Sequence, residues 1–397
     1  MMKGKPKIVY LLPGGLFNPG GMERITITKA NYLAEKEGYD VSIVTTEQMG
    51  RPAYFPVSEK VHLYHLDIGM YVNFGKESYV EKCISRYSKN KEYKRLLNRL
   101  LCELRPDITI STLSGLDIDF IHNLKDGSLK WGELHHPRNF RQLSARKLSN
   151  AWIPNIIARI RTYMFRKKCE KLNRLIVLTQ EEKVSWNNQE NMEIIPNALS
   201  FFPDMISTCE KKQAIAVGRL VYEKGFDQLI ETWKTVYAKH PDWELHIFGQ
   251  GDQKEKLFEQ IHQNGLETVV RINEPSQDIY THYQESSFFV FPSRFLEALP
   301  MVLIEAMSCG LPLVAFDAPC GPKDIIKEGE NGFLVKNGDI DTLSERIIQL
   351  MESGELRKKM GKTARKMSFD YSMDRIMKRW IELFHQNVEP VTNKLKQ

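Results

Sequence analysis

The chain has 397 residues, a length that suits about two or three domains. With 42% hydrophobic and 27% charged residues it has the composition of an ordinary globular protein, and no apolar run approaches the roughly 20 residues of a membrane-spanning helix. The net charge of +6 is modest and no recognised nucleic-acid-binding module accompanies it, so no nucleic-acid partner is expected.

The first apolar run, 8–12, is too short for the core of a secretory leader, and no small-residue cleavage site follows it. The six cysteines are scattered without paired spacing, which reads as free thiols in a reducing cytosol and suggests no zinc site. Strand-like runs fall at 7–12, 41–45, 61–66, 108–112, 129–134 and 175–178, with helical patterns at 22–37 and 91–104 between them. The loop from Pro13 to Glu23, between the first strand and the first helix, is glycine-rich. Such a loop at a helix N-terminus can cradle phosphate oxygens, but the spacing here is neither a dinucleotide fingerprint nor a P-loop. Its bland alternative is a flexible surface loop.

Glu133-Leu134-His135-His136-Pro137 closes a strand. Neighbouring strand residues point to opposite faces, so at most one of the two histidines should enter a cleft, the alternative for either being a hydrogen-bonded structural role. From 138 to 174 the basic residues are Arg138, Arg141, Arg146, Lys147, Arg159, Arg161, Arg166, Lys167, Lys168, Lys171 and Arg174, against the single acid Glu170. Apolar residues from Trp152 to Phe165 interleave with them. A segment of this kind can lie on an anionic membrane surface, and it can equally be a solvated helix face beside core positions.

The pattern restarts after an irregular polar linker at 196–212. Strands follow at 214–217, 244–248, 269–272, 288–291, 313–316 and 333–335, and a helix at 226–237 puts Phe226, Leu229, Ile230, Trp233, Val236 and Tyr237 on one face. Strands alternating with helices imply parallel sheets covered on both sides, hence an α/β chain of two doubly wound domains facing across a cleft. The expected boundaries are 1–198 and 199–371, with a closing segment 372–397 whose helix, 373–385, crosses back to the first domain before a frayed tail. Ligands of such sheets bind beyond the carboxyl ends of the strands.

Two motifs of the second half carry chemistry. Gly218-Arg219-Leu220-Val221-Tyr222-Glu223-Lys224-Gly225 places two cations in the turn after a strand, where arginine can grip a diphosphate through paired donors and lysine adds a point charge. In Glu297-Ala298-Leu299-Pro300-Met301-Val302-Leu303-Ile304-Glu305, two carboxylates flank a proline expected at the first position of a helix. Glu297 then lies in the preceding loop and Glu305 about a turn and a half inside. Glu297 could simply cap the helix, but Glu305 sits among Val302, Leu303, Ala306 and Met307, where a carboxylate is costly unless paired or liganded. Carboxylates that hold hydroxyls beside an anion site suit a sugar attached to a nucleotide diphosphate.

These features together resemble the retaining glycosyltransferases of family 4, which have the GT-B fold. The resemblance rests on the Glu297/Glu305 pair, Gly218-Arg219 with Lys224-Gly225, Gly20-Gly21-Met22-Glu23, Ile195-Pro196-Asn197, the run Glu305 to Pro312, the run Phe316 to Pro322, and Glu330-Asn331-Gly332. It is closest to the bacterial enzymes that build capsule, exopolysaccharide and lipopolysaccharide glycans. The resemblance implies transfer of a sugar from a nucleotide-diphosphate donor, expected to be a UDP-sugar, to a glycan or lipid-linked acceptor with retention of configuration. Arg219 and Lys224 would neutralise the leaving diphosphate, and Glu305 would hold the ribose hydroxyls. Glu297 and the backbone amides of Ala298, Leu299, Pro300 and Met301 would hold the transferred sugar. (Pro300 itself lacks an N–H.) His135 would lie near the reacting centre, Gly21 and Gly218 beside the diphosphate, and Asn273 and Glu274 beside the base. Neither metal nor cofactor is expected, because the two cations take the metal's role and no Asp-x-Asp lies near the site. Many relatives have Gly-Phe after the first glutamate where this chain has Ala298-Leu299, which leaves the sugar open. A sugar-nucleotide epimerase of the same fold and a non-catalytic sugar-nucleotide-binding protein are the alternatives. A cytoplasmic enzyme, peripheral at the inner face of the plasma membrane, is the expected setting.

Overall fold

The structure is a computed structural model that describes residues 5–69, 79–137, 152–295 and 297–388. Positions 1–4, the stretch 138–151 with Arg138, Arg141, Arg146 and Lys147, and the tail 389–397 lie outside the described residues. The chain divides into two compact units. One comprises the described residues of Met1–Leu178, Lys183–Ala198 and Ile376–Gln397, the other Thr179–Glu182 and Leu199–Arg375.

In the first unit, strands β1 (Ile8–Leu12), β2 (Val41–Thr45), β3 (Val61–His65), β4 (Ile108–Ser111), β5 (Leu129–Glu133), β6 (Arg174–Val177) and β7 (Met192–Ile194) form one sheet in the order β3-β2-β1-β4-β5-β6-β7. Every pairing is parallel. The central strand β1 is wholly apolar because both its faces are buried, whereas the edge strand β3 is mostly exposed and carries histidines. Helices α1 (Gly21–Glu35), α2 (Tyr79–Leu104) and α3 (Trp152–Cys169) belong to this unit, and the short α4 (Gln180–Ser185) is divided, its residues through Glu182 falling in the second unit. Two elements differ from expectation. β7 spans only three residues, too few to show a period, and α2 begins at Tyr79 rather than 91, its added turns carrying Tyr79, Val80, Cys83, Ile84 and Tyr87 at helical spacing.

In the second unit, β8 (Gln213–Val217), α5 (Phe226–Lys239), β9 (Glu244–Phe248), α6 (Lys254–Gln263), β10 (Val270–Asn273), α7 (Ile279–Gln284), β11 (Phe288–Phe291), α8 (Met301–Ser308), β12 (Leu313–Phe316), α9 (Pro322–Ile325), β13 (Gly332–Val335), α10 (Ile340–Glu352) and α11 (Gly354–Ser368) succeed one another. The strands pair in parallel in the order β10-β9-β8-β11-β12-β13. The core between this sheet and its helices includes Leu229, Trp233, Leu245, Phe288, Phe316 and Ile347.

The last helix, α12 (Met373–Asn387), buries Ile376, Met377, Trp380, Leu383 and Phe384 at helical spacing. Within the first unit Phe384 lies 5.5 Å from the Trp131 ring of β5, and Trp380 covers the Lys29 ammonium at 4.6 Å. Lys29, from α1, is ion-paired with Glu133 at the end of β5, and both are buried. Burial by itself would raise the Glu133 carboxyl, but Lys29 and then His135 reverse that and hold it at about 2. A carboxyl depressed in the folded state stabilises the fold above its unfolded value, 4.5, and that stability is lost as pH falls toward about 2.

Breaking a buried pair leaves an uncompensated charge, so Lys29→Met should destabilise the first unit by about 3–5 kcal/mol, while Lys29→Met with Glu133→Leu should recover most of it. Urea unfolding read by tryptophan fluorescence measures both. Equal stability of parent and single variant would show that the pair carries little.

Candidate functional site

The second sheet reverses its strand order between β8 and β11, and the loops leaving these strands fall on either side of the reversal, where doubly wound sheets bind ligands. The first of these loops holds Arg219 and Lys224, the second Glu297. They are stitched together. The Arg294 amide donates to the Glu223 carbonyl at 2.8 Å, and the Ser293 hydroxyl oxygen lies 3.2 Å from the same carbonyl. The Arg294 guanidinium forks onto both carboxylate oxygens of Asp227, at 2.6 Å each, and lies 4.5 Å over the Tyr222 ring. Gly225 has φ +68°, and a Cβ there would sit 2.1 Å from the Pro292 carbonyl oxygen, so the two loops meet this closely only because residue 225 is glycine.

This stitching brings the Lys224 ammonium onto Glu297 Oε1, which also accepts from the Ser293 hydroxyl at 2.7 Å. Glu297 is buried and Lys224 half-buried. Arg219 is exposed, and among the described residues its guanidinium has no hydrogen-bond or ion-pair partner. One expected cation is therefore held against a carboxylate and the other is free.

Pro300 is not the first helical residue. It precedes α8 in extended backbone, φ −73° and ψ 94°, and Met301 begins the helix. The ring fixes φ but leaves ψ free, so proline fits the cap position as well as the first turn. Gly321, at φ +116°, packs on Pro300: a Cβ there would meet the ring at 2.4 Å. In the same loop Leu299 is buried and Ala298 half-buried. Glu305 is half-buried on α8, where the Tyr283 hydroxyl donates to its carboxylate at 3.4 Å. Burial first, and the Glu305 charge second, push the Tyr283 phenol well up, so it remains a donor. Gly218 directly follows β8 and donates its amide to the Phe248 carbonyl at 3.0 Å. Asn273 is the last residue of β10, its carbonyl accepting from Gly249 at 3.0 Å, and Glu274 is ion-paired with Lys254. All these groups lie at the carboxyl end of the second sheet.

In the first unit, Gly21 is the first residue of α1, and a Cβ built on it would meet nothing within 4 Å. His135 lies two residues beyond β5. Its ring is buried, with Nε2 3.5 Å from Glu133 Oε1, while His136 is exposed. The 3.5 Å separation is long for a hydrogen bond, so the carboxylate acts on the ring mainly through its charge. Among the described residues no group of three or more His, Cys, Asp or Glu side chains could hold a metal ion.

The sequence reading did not single out Arg294, Asp227, Ser293, Tyr283, Glu133 or Lys29 as supports of these residues. Except for Ser293, four residues from Glu297, they act through partners distant in the chain, Arg294 and Asp227 being 67 residues apart, and no local spacing signals such a pair.

Two parallel-sheet Rossmann-like units, the second carrying paired cations and carboxylates at its switch point, make this a GT-B-type α/β protein. The sequence profile of the family Glycosyl transferases group 1 matches residues 206–367. An uncharacterized glycosyltransferase of Haemophilus influenzae is 30% identical over 372 residues, covering 91% of this chain and 95% of the relative. The amylovoran biosynthesis glycosyltransferase AmsD of Erwinia amylovora is 28% identical over 388 residues, covering 95% and 99%. Among solved structures, a mutant of S. aureus TarM in complex with Fondaparinux, alpha-GlcNAc-glycerol and UDP matches with a TM-score of 0.73 at 19% identity, over 96% of this chain and 99% of that one. The chain belongs to the group 1 glycosyltransferases, and it is an enzyme of that class.

Alanine at position 225 meets both a left-handed backbone and the Pro292 carbonyl, so Gly225→Ala should cost more than about 1 kcal/mol and should lower turnover by loosening Lys224 from its loop. Urea unfolding and an activity assay on the same preparation check this. Unchanged values in both would show that the two loops tolerate separation.

Proposed function

We propose that the chain is a retaining, metal-independent glycosyltransferase of family 4, moving a sugar from a UDP-sugar to a glycan or lipid-linked acceptor in bacterial surface-polysaccharide synthesis. The single observation that carries this reading is the switch-point cluster of a free Arg219, a half-buried Lys224 and a buried Glu297, with Glu305 on the next helix. Residues 199–371 are the donor-binding domain in this reading, residues 1–198 the acceptor-binding one.

The chemistry follows from charge. Departure of the sugar leaves negative charge on the diphosphate, and cations standing at the switch point stabilise it. Arg219 supplies a fork for two phosphate oxygens. Lys224 is oriented before the donor arrives, because Glu297 and the loop behind it hold the ammonium in place. A bound phosphate then shares that ammonium, and Glu297 keeps a carboxylate oxygen for a sugar hydroxyl. With two cations beside the diphosphate, a divalent ion has no task left there. Glu305, steadied by Tyr283, is assigned the ribose hydroxyls. The backbone of Ala298, Leu299 and Met301, with Pro300 shaping the turn, is assigned the sugar. Gly218 and Gly21 are assigned the diphosphate, Asn273 and Glu274 the base, and His135 the sugar at the reacting centre. The acceptor attacks from the face the diphosphate leaves, and the departing phosphate takes its proton. The UDP in the TarM complex and the biosynthetic name of AmsD support the choice of donor and setting. The setting we assign is the inner face of the plasma membrane.

Arg219→Ala removes an exposed side chain and should leave folding untouched while lowering turnover about 10²–10³-fold, the usual effect of deleting one group that stabilises developing charge. Lys224→Ala should lower turnover at least as much and also strand the Glu297 charge. Release of UDP from UDP-sugars with added acceptor, alongside thermal unfolding, measures both. Near-parental turnover in both variants contradicts the assignment, and a product formed from UDP-GlcNAc with no acceptor would indicate an epimerase instead.

A further inference from the structure

Helix α3 has two opposed faces. Ala158, Thr162 and Cys169 are buried, and Phe165 packs edge-on against Trp186 at 6.1 Å, so one face is held by the first unit. The other face presents Ile156, Ile157, Ile160, Tyr163 and Met164, each between 43% and 61% exposed. Their spacing, i, i+1, i+4, i+7 and i+8, joins them into one stripe. A single exposed apolar residue is ordinary, whereas a contiguous stripe of five on a helix marks an interaction site.

The charges around the stripe narrow its occupant. On a 3.6-residue wheel Arg159 and Arg166 border one edge, Arg161 and Lys168 the other, and Lys167 stands at the C-terminal end. No acidic residue occurs within α3. Arg166 and Lys167 contact Glu170 just beyond the helix and Lys168 reaches Asp119, while Arg159 and Arg161 have no partner among the described residues. Like charges would oppose a second copy of the same face. A bilayer with anionic headgroups satisfies both features together: the stripe enters the acyl boundary and the long basic side chains on its two edges reach phosphates in the headgroup layer. Tyr163 has the apolar ring and polar tip favoured at that depth. No helix among the described residues is long and apolar enough to cross a membrane, so the contact is lateral.

We propose that the exposed face of α3 docks the protein on an anionic lipid surface, with the helix lying in the plane of the interface. This deepens the membrane-face setting proposed above by naming the surface responsible. Its test reads lipid binding rather than turnover, so failure here leaves the sugar-transfer assignment standing.

The full chain is sedimented with phosphatidylcholine vesicles with and without phosphatidylglycerol, at low and high salt. Binding is expected only to the anionic vesicles and should weaken at high salt. Arg159→Gln with Arg161→Gln should weaken it about thirtyfold, since each basic side chain near such a surface contributes about a fivefold factor. Ile160→Asp with Met164→Asp should abolish it, with thermal unfolding matched to the parent because both positions are exposed. Failure of the parent to sediment, or binding unchanged in both double variants, overturns the proposal. So does a concentration-dependent dimer in light scattering that the Ile160/Met164 variant dissolves, which would assign the stripe to a second copy.

Discussion

The candidate site depends on the ion pair between Lys224 and Glu297. A buried carboxylate beside an anion site is expensive on its own, and it persists because an ammonium and a serine hydroxyl share one of its oxygens. The pair forms only if two loops, one from each side of the strand-order reversal, are brought together. The Arg294 fork onto Asp227 and the missing side chain at residue 225 do this. Fold and chemistry meet here: the parallel sheet supplies two loop ends, and side chains behind them fix the approach of cation and carboxylate.

The first unit uses a more deeply buried pair for a structural end. Lys29 and Glu133 tie α1 to β5, and α12 closes over them through Trp380. His135 sits at the edge of this pair, its ring facing a carboxylate held charged by a lysine. Helix α1 and the histidine beyond β5 thus share the same buried charges, while the glycine-rich loop before α1 is held by the segment after β2, the Gly14 amide donating to the Thr46 hydroxyl at 3.0 Å. The two units differ in exposure: Glu133 is neutralised entirely from within, while the second unit keeps Arg219 exposed and without a partner among the described residues.

Much of this was legible in the sequence. Runs such as Phe288–Phe291 and Leu313–Phe316 declare themselves because central strands of a parallel sheet are apolar on both faces. The motif around Gly218 and the Glu297/Glu305 pair are local, so their spacing survives in one dimension. What escaped is non-local or too short to show a period. The Arg294–Asp227 fork and the Tyr283–Glu305 bond join distant segments, and β7 is three residues long. Pro300 was misplaced by one position because proline suits both a cap and a first turn. The pattern of α3 announced an amphipathic helix, but which face turns outward is decided by packing, and it is the apolar stripe of Ile156, Ile160 and Met164 that does.

The central claim is that the cations of the second unit receive a pyrophosphate while its carboxylates hold the attached sugars. A crystal structure of the chain with UDP bound tests it most directly. The account predicts diphosphate oxygens within hydrogen-bonding distance of the Arg219 guanidinium and the Lys224 ammonium, with ribose hydroxyls on Glu305. Diphosphate lodged away from both cations, or Glu305 turned from the ribose, would contradict it.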